Sequence, residues 1–173
     1  MMRVAIVGNV AGGKSILSLR LGEATNLPVY ALDKLQWSKG WVVTPEHVFE
    51  EKHDALLSKE RWIIDGLSSW ATLNKRFAKA DTIIFIDYSL WVHYYWALKR
   101  QLQTLFKPRT NFPSGCPMLP KTNQLFQLIW QIHKKFRPKL IMLVEEYKNK
   151  GCTVFHIKSP SELKGFIREH NLE

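Results

Sequence analysis

The 173-residue sequence predicts an α/β domain in which a parallel sheet is covered by helices on both faces. Three observations carry that expectation. Short apolar, β-branched runs alternate with stretches of helical spacing along the chain. The first such run enters a glycine-rich loop that opens directly into a helix, Gly8-Asn9-Val10-Ala11-Gly12-Gly13-Lys14-Ser15. Three successive strands end on carboxylates, Asp33, Asp65 and Asp87, and parallel sheets bind ligands at that edge.

The elements follow in order. Arg3–Gly8 (RVAIVG) reads as a buried strand entering a tight turn. From Gly13 to Ala24, Ile16, Leu17, Leu19 and Leu21 fall near one side of a helix. Val29–Leu32 is a second strand, and a loop with Trp37, Gly40 and Trp41 leads to Thr44-Pro45-Glu46. There Thr44 suits an N-cap and Pro45 the first helical position, for a helix running to about Lys59. Arg61–Asp65 is a third strand, Ser69–Ala80 a short helix and Asp81–Asp87 a fourth strand. From Ser89 to Phe106 a long helix places Trp91, Tyr94, Tyr95, Leu98, Leu102 and Leu105 at three- and four-residue spacing, the pattern of a core face. Pro108, Pro113, Gly115, Pro117 and Pro120 then exclude a helix interior and indicate a loop or lid. Thr122–Lys148 is helical, with an interruption near Arg137-Pro138, Cys152–Ile157 is a fifth strand, and a helix from Pro160 to Glu169 closes the chain. One domain spanning residues 1–173 is expected, with residues 99–139 as a basic lid region.

Composition narrows the function. Apolar residues are 46% and charged residues 23%, which excludes a disordered chain. The longest apolar runs, such as Leu140–Val144, fall far short of the roughly 20 residues that cross a bilayer, so no membrane partner is expected. Met1–Gly8 reads as a strand and not a signal peptide, and Cys116 and Cys152 form no CxxC pair; both fit a cytoplasmic protein. The net charge of +10 is concentrated. Between Tyr88 and Val144 there is no acid, but there are nine bases: Lys99, Arg100, Lys107, Arg109, Lys121, Lys134, Lys135, Arg137 and Lys139. That segment is built to meet anions.

The loop Gly8–Ser15 is a complete G-x-x-x-x-G-K-[ST] in strand-to-helix context. Glycines let backbone N–H groups converge on phosphate oxygens, the helix N-terminus adds positive potential, Lys14 reaches the β and γ phosphates, and Ser15 can hold Mg²⁺. Asp65, preceding Gly66, fits the carboxylate that orders the metal's water shell. Asp33 suits acceptor binding or base catalysis, and Asp87 either joins the site or caps the helix that starts at Ser89. Arg100, Arg109 and Arg137 flank or sit within the proline-rich segment, where closing-lid arginines would stabilise the charge of a transferred phosphoryl group. Trp37 and Trp41 are candidates for stacking on an acceptor ring or for covering the sheet edge.

The runs GNVAGGKS, LPVYALDKLQW, RWIIDG, ADTIIFIDYS, LKR, SGCP and FRPK resemble the topology modulation (FlaR-type) proteins, P-loop kinase-like relatives of adenylate kinase. That resemblance implies a P-loop NTPase fold of the nucleoside/nucleotide kinase type, with sheet order 2-3-1-4-5 and a short helical lid. It implies that Gly8, Gly12, Gly13, Lys14 and Ser15 bind ATP and Mg²⁺, and that Asp33 and the Asp65-Gly66 turn face the second substrate. Arg100 would lie near the donor adenine or phosphates, Arg137 would approach the transferred phosphate, and the turn containing Ser159 would border the adenine. Adenylate kinases carry an arginine soon after the Asp-Gly turn; here Leu67-Ser68-Ser69-Trp70 follows, and Arg76 is the nearest base.

The expected activity is Mg²⁺-dependent transfer of the ATP γ-phosphate to a small acceptor: a nucleotide, a nucleoside or a related metabolite. The alternative, raised by the acid-free basic segment and the family resemblance, is a nucleotide-dependent nucleic-acid-binding protein. No helix-turn-helix or RNA-binding motif accompanies it.

Overall fold

The computed structural model describes residues 1–38, 40, 42–104 and 122–172. Trp41, Leu105, Lys107, Arg109, Cys116, Lys121 and the prolines of the expected lid lie outside them.

β1 (Arg3–Gly8), β2 (Val29–Ala31), β5 (Trp62–Asp65), β6 (Thr82–Ile86) and β7 (Thr153–Ile157) form one sheet in the order β2-β5-β1-β6-β7. Every pairing in it is parallel. Counted among these five strands alone, the order is 2-3-1-4-5, as expected. The centre is β1, and its alternation explains the layers. Val4 and Ile6 face one side, where they meet Leu17 and Leu21 of α1 (Lys14–Thr25) and Phe166 of α8 (Pro160–Glu169). Ala5 and Val7 face the other, packing with Leu73 and Phe77 of α4 (Trp70–Lys79) and Leu140 and Val144 of α7 (Arg137–Asn149). A strand buried on both faces must be apolar along its buried length, which is why Val4–Gly8 carries no polar alternation after Arg3 at the strand's edge.

The region after β2 departs from the expected strand and loop. Leu32–Gln36 forms a short helix, α2, and Trp37–Ser38 (β3) pairs antiparallel with Val42–Val43 (β4). Thr44 is not a cap. Its hydroxyl donates to the carbonyl of Leu35 at 2.7 Å, serving one of the acceptors left over at the end of α2. Pro45 is the cap residue, and α3 runs Glu46–Leu57. On α1 the buried stripe is Leu17, Ser18, Leu21 and Gly22, leaving Ile16 and Leu19 exposed.

The long helix α5 (Leu90–Thr104) reverses the expected polarity. Trp91 is 78% exposed, and Tyr95, Leu98 and Leu102 are also exposed. The buried positions are His93, Ala97 and Gln101, four residues apart. The inward face carries polar groups because it lies over the glycine-rich loop, where His93 meets the carbonyl of Val10. α5 packs with α6 (Thr122–Gln131) through Ala97, Leu125 and Ile129. Residues 132–136 form a wide π turn ahead of Arg137-Pro138. Proline lacks the N–H that a regular helix would direct four residues back, and here the Arg137 N–H reaches back to the carbonyl of Ile132.

The exit from β1 tolerates no side chain. Gly8 has φ +143°, and a Cβ there would stand 2.2 Å from the Ile86 carbonyl oxygen of β6. Gly8→Ala is therefore expected to lower unfolding stability by at least about 2 kcal/mol in denaturant titration. An unchanged midpoint would contradict the close approach.

Candidate active site

The glycine-rich loop joins β1 to α1 at the carboxyl edge of the sheet, with Gly13 in the left-handed region immediately before the helix. The first turn of α1 points its unpaired N–H groups and the positive end of its dipole into the loop. Lys14 Nζ donates to the carbonyl of Asn9 at 2.8 Å, so the ammonium lies across the loop's mouth. Burial lowers the Lys14 pKa; the charges of Asp33 and Asp65 oppose that, and Arg100 adds to the lowering. Asp33, Asp65 and Arg100, all singled out in the sequence, thus lie within electrostatic reach of Lys14.

Asp65 ends β5 and is buried. Ser18 Oγ donates to its Oδ2 at 3.0 Å. Burial raises the Asp65 pKa, while the Lys14 charge and the hydroxyls of Ser18 and Ser15 resist the rise. Ser15 and Asp65 are therefore neighbours, an oxygen pair of the kind a hard divalent cation takes. Asp33 sits half-buried in the first turn of α2. Beside it lies a cavity of about 230 Å³, lined by Ser15, Ser18, Leu19, Val29, Tyr30, Ala31, Lys34, Leu35, Leu56 and Asp65.

Two arginines have partners of their own within the protein. Arg137 is held by Asp87, its Nε and Nη2 donating to the two carboxylate oxygens at 2.6 and 3.0 Å. His156 Nε2 donates to the same carboxylate at 2.9 Å. Asp87 therefore ties α7 to β7. The group lies beside the loop, since Arg137, Asp87, His93 and Asn9 line one narrow crevice. Arg76, the base nearest to the Asp65-Gly66 turn in sequence, is fully buried and donates through Nη2 to the Gly66 carbonyl at 2.9 Å. It faces the core and is absent from the cavity wall. Arg109 and Trp41 lie outside the described residues. Ser159 caps α8 by accepting from the Glu162 N–H, and Leu163 of that helix reaches to 3.7 Å from where a Cβ on Gly13 would stand.

Sequence reasoning gave no site role to Ser18 and looked at His93 only as a metal ligand. Ser18 follows Ser15 by three residues, on the same helix face, and that spacing is a readable signal. The His93-Ala97-Gln101 stripe is another, hidden by the aromatics around it.

The sheet order, the loop and the flanking helices define the P-loop kinase fold. In structure the chain is similar to shikimate kinase from Aquifex aeolicus, at TM-score 0.52 and 20% identity, covering 98% of this chain and 96% of that one. It is also similar to shikimate kinase from Acinetobacter baumannii in complex with shikimate, at TM-score 0.50 and 10% identity, covering 99% and 94%. No protein-family model matches the chain, and no curated protein matches it in sequence.

Buried histidines give the protein an acid-sensitive stability. Burial pushes His53 and His93 down from 6.5 to about 4; at His53 the Arg76 charge adds to the effect. Between those values the unfolded chain binds protons that the folded one refuses, so stability must fall as pH drops from about 6.5 toward 4. Urea unfolding across that window should show the decline, and His53→Phe should flatten part of it. A midpoint independent of pH would contradict the burial of both rings as neutral groups.

Proposed function

We propose that this protein transfers the γ-phosphate of ATP, with Mg²⁺, to a small acceptor: a nucleotide, a nucleoside or a related metabolite. The observation that carries the reading is that the cavity is lined by Ser15, the last residue of the phosphate loop, together with Asp65 from the end of β5. A triphosphate on the loop would thereby present its terminal phosphorus to whatever fills the cavity. The likeness of the fold to shikimate kinases and the resemblance of the sequence to the topology modulation proteins support the same class.

Each residue has a role in that reading. The amides of Gly12, Gly13 and Lys14 receive phosphate oxygens, and Lys14 exchanges the Asn9 carbonyl for the β and γ phosphates. Ser15 and Asp65 would hold Mg²⁺, which supplies charge neutralisation at those phosphates. Arg100 adds positive charge on the donor side, and Arg137, if it leaves Asp87, would do so at the transferred group. The Ser159 turn borders the adenine. For a hydroxyl acceptor, the acceptor oxygen bonds to the γ-phosphorus as the bond to the bridging oxygen breaks. ADP leaves, and the hydroxyl proton passes to Asp33. Residues 99–139 would form the lid that excludes water.

The test is ADP release from MgATP against pools of nucleoside monophosphates, nucleosides and related hydroxyl metabolites. Acceptor-dependent release that disappears in Lys14→Ala is expected. Asp33→Asn should lower turnover on a hydroxyl acceptor by roughly 10²- to 10⁴-fold with ATP affinity nearly intact. An unchanged turnover would remove the base role.

A second reading, nucleotide-dependent nucleic-acid binding, is favoured by the acid-free stretch from Tyr88 to Val144, where Lys134, Lys135 and Lys139 are exposed. It requires an affinity that falls steeply with salt. A flat salt response would exclude it.

A further inference from the structure

We propose that His93 is a positioning residue for the phosphate loop, its imidazole serving as the form around which residues 9–13 close. This inference rests on the phosphotransferase reading and adds to it a residue that the G-x-x-x-x-G-K-[ST] pattern does not contain.

The contacts span the loop. His93 Nδ1 lies 2.8 Å from the carbonyl oxygen of Val10. A carbonyl only accepts, so Nδ1 carries the proton. On the other side of the loop, the ring's Cε1 stands 3.4 Å from where a Cβ on Gly12 would be. One buried ring therefore meets the loop by hydrogen bond at its second residue and leaves little room for a side chain at its fourth. The ring itself is fixed from behind by Tyr88, stacked at 5.6 Å between centroids.

What the ring holds is strained. Ala11, between those two contacts, has φ 60°, a left-handed conformation that a side chain resists. Such a residue persists only when its neighbours over-determine it. Both peptide groups of Val10 are committed: its N–H donates to Asn9 Oδ1 at 2.7 Å, and its carbonyl accepts from His93. Asn9 is in turn anchored to α6, Nδ2 donating to the Ile129 carbonyl at 2.9 Å. The Asn9 anchor holds the residue before Val10. The His93 bond comes from α5, 83 positions away, and ties the Val10 carbonyl, next to Ala11, directly to that helix. Without the donor, the Val10 carbonyl loses its partner, the turn relaxes, and the amides of Gly12, Gly13 and Lys14 no longer converge on one phosphate.

The experiment compares wild type, His93→Phe and His93→Asn by calorimetric titration with MgATP and with inorganic tripolyphosphate, alongside thermal unfolding without ligand. Phenylalanine keeps ring volume and cannot donate; asparagine donates from nearly the same place. His93→Phe should weaken both ligands about tenfold, and His93→Asn should recover most of that loss. Tripolyphosphate has no base or ribose, so a parallel loss locates the effect at the loop. Wild-type affinity in His93→Phe, or equal weakening in both variants, overturns the inference and leaves the phosphotransferase reading standing. Loss of fold in both variants also overturns it, because His93 is then a core residue. Wild-type protein that binds neither ligand overturns the phosphotransferase reading itself.

Discussion

Gly8 brings the end of β1 against the carbonyl of Ile86 so closely that a single methyl group would stand 2.2 Å from it. The candidate site depends on that approach. Because β1 is the central strand, its exit fixes where the loop starts, and therefore where α1 begins and where its unpaired amides point. The neighbouring strand β5 then delivers Asp65 alongside, Ile6 and Asp65 being register partners. Lys14, Ser15 and Ser18 come from the first turns of α1 and meet that carboxylate without any further device. A site of this kind needs one tight crossing of backbone and a parallel sheet; the rest follows from strand register.

The charges at the site are arranged for an occupant. Burial pushes the Lys14 ammonium and the Asp65 carboxyl toward their neutral forms, and each opposes the shift in the other. A triphosphate with a divalent cation would add an opposite charge beside each group: anionic oxygens for the lysine, a cation for the carboxylate. Arg100 and Arg76 differ in placement. The Arg100 charge is felt at Lys14, whereas Arg76 is fully buried, donates to the Gly66 carbonyl and lies within electrostatic reach of Asp65. Arg137 stands between these cases, beside the loop yet held by Asp87.

The sheet and the loop were legible in the sequence because each follows from a local rule. Apolar runs such as RVAIVG and DTIIFID admit few alternatives, and a glycine loop between strand and helix has one common use. The polarity of α5 was not legible. Periodicity reports which residues share a face but not which face turns inward, and Trp91, Tyr95, Leu98 and Leu102 make the stronger apolar stripe. What inverts the helix is the demand of the loop beneath it for the donor at His93, a tertiary requirement that no local window contains. The same holds for Asp87, whose partners Arg137 and His156 arrive from elements 50 and 69 positions on. Thr44 was misread for a smaller reason: as a cap its hydroxyl oxygen would accept from an N–H of α3, whereas the hydroxyl donates to the Leu35 carbonyl at the end of α2, which was invisible in a stretch read as loop.

The central claim, that residues 8–15 cradle the phosphates of ATP, is tested most directly by following backbone amide resonances during titration with MgATP. Saturable shifts centred on Gly12, Gly13, Lys14 and Ser15, with a smaller response at Asp65, are predicted. Amides in the loop that stay unperturbed at saturating MgATP, or shifts confined to the surface of α5 and α7, would contradict the account.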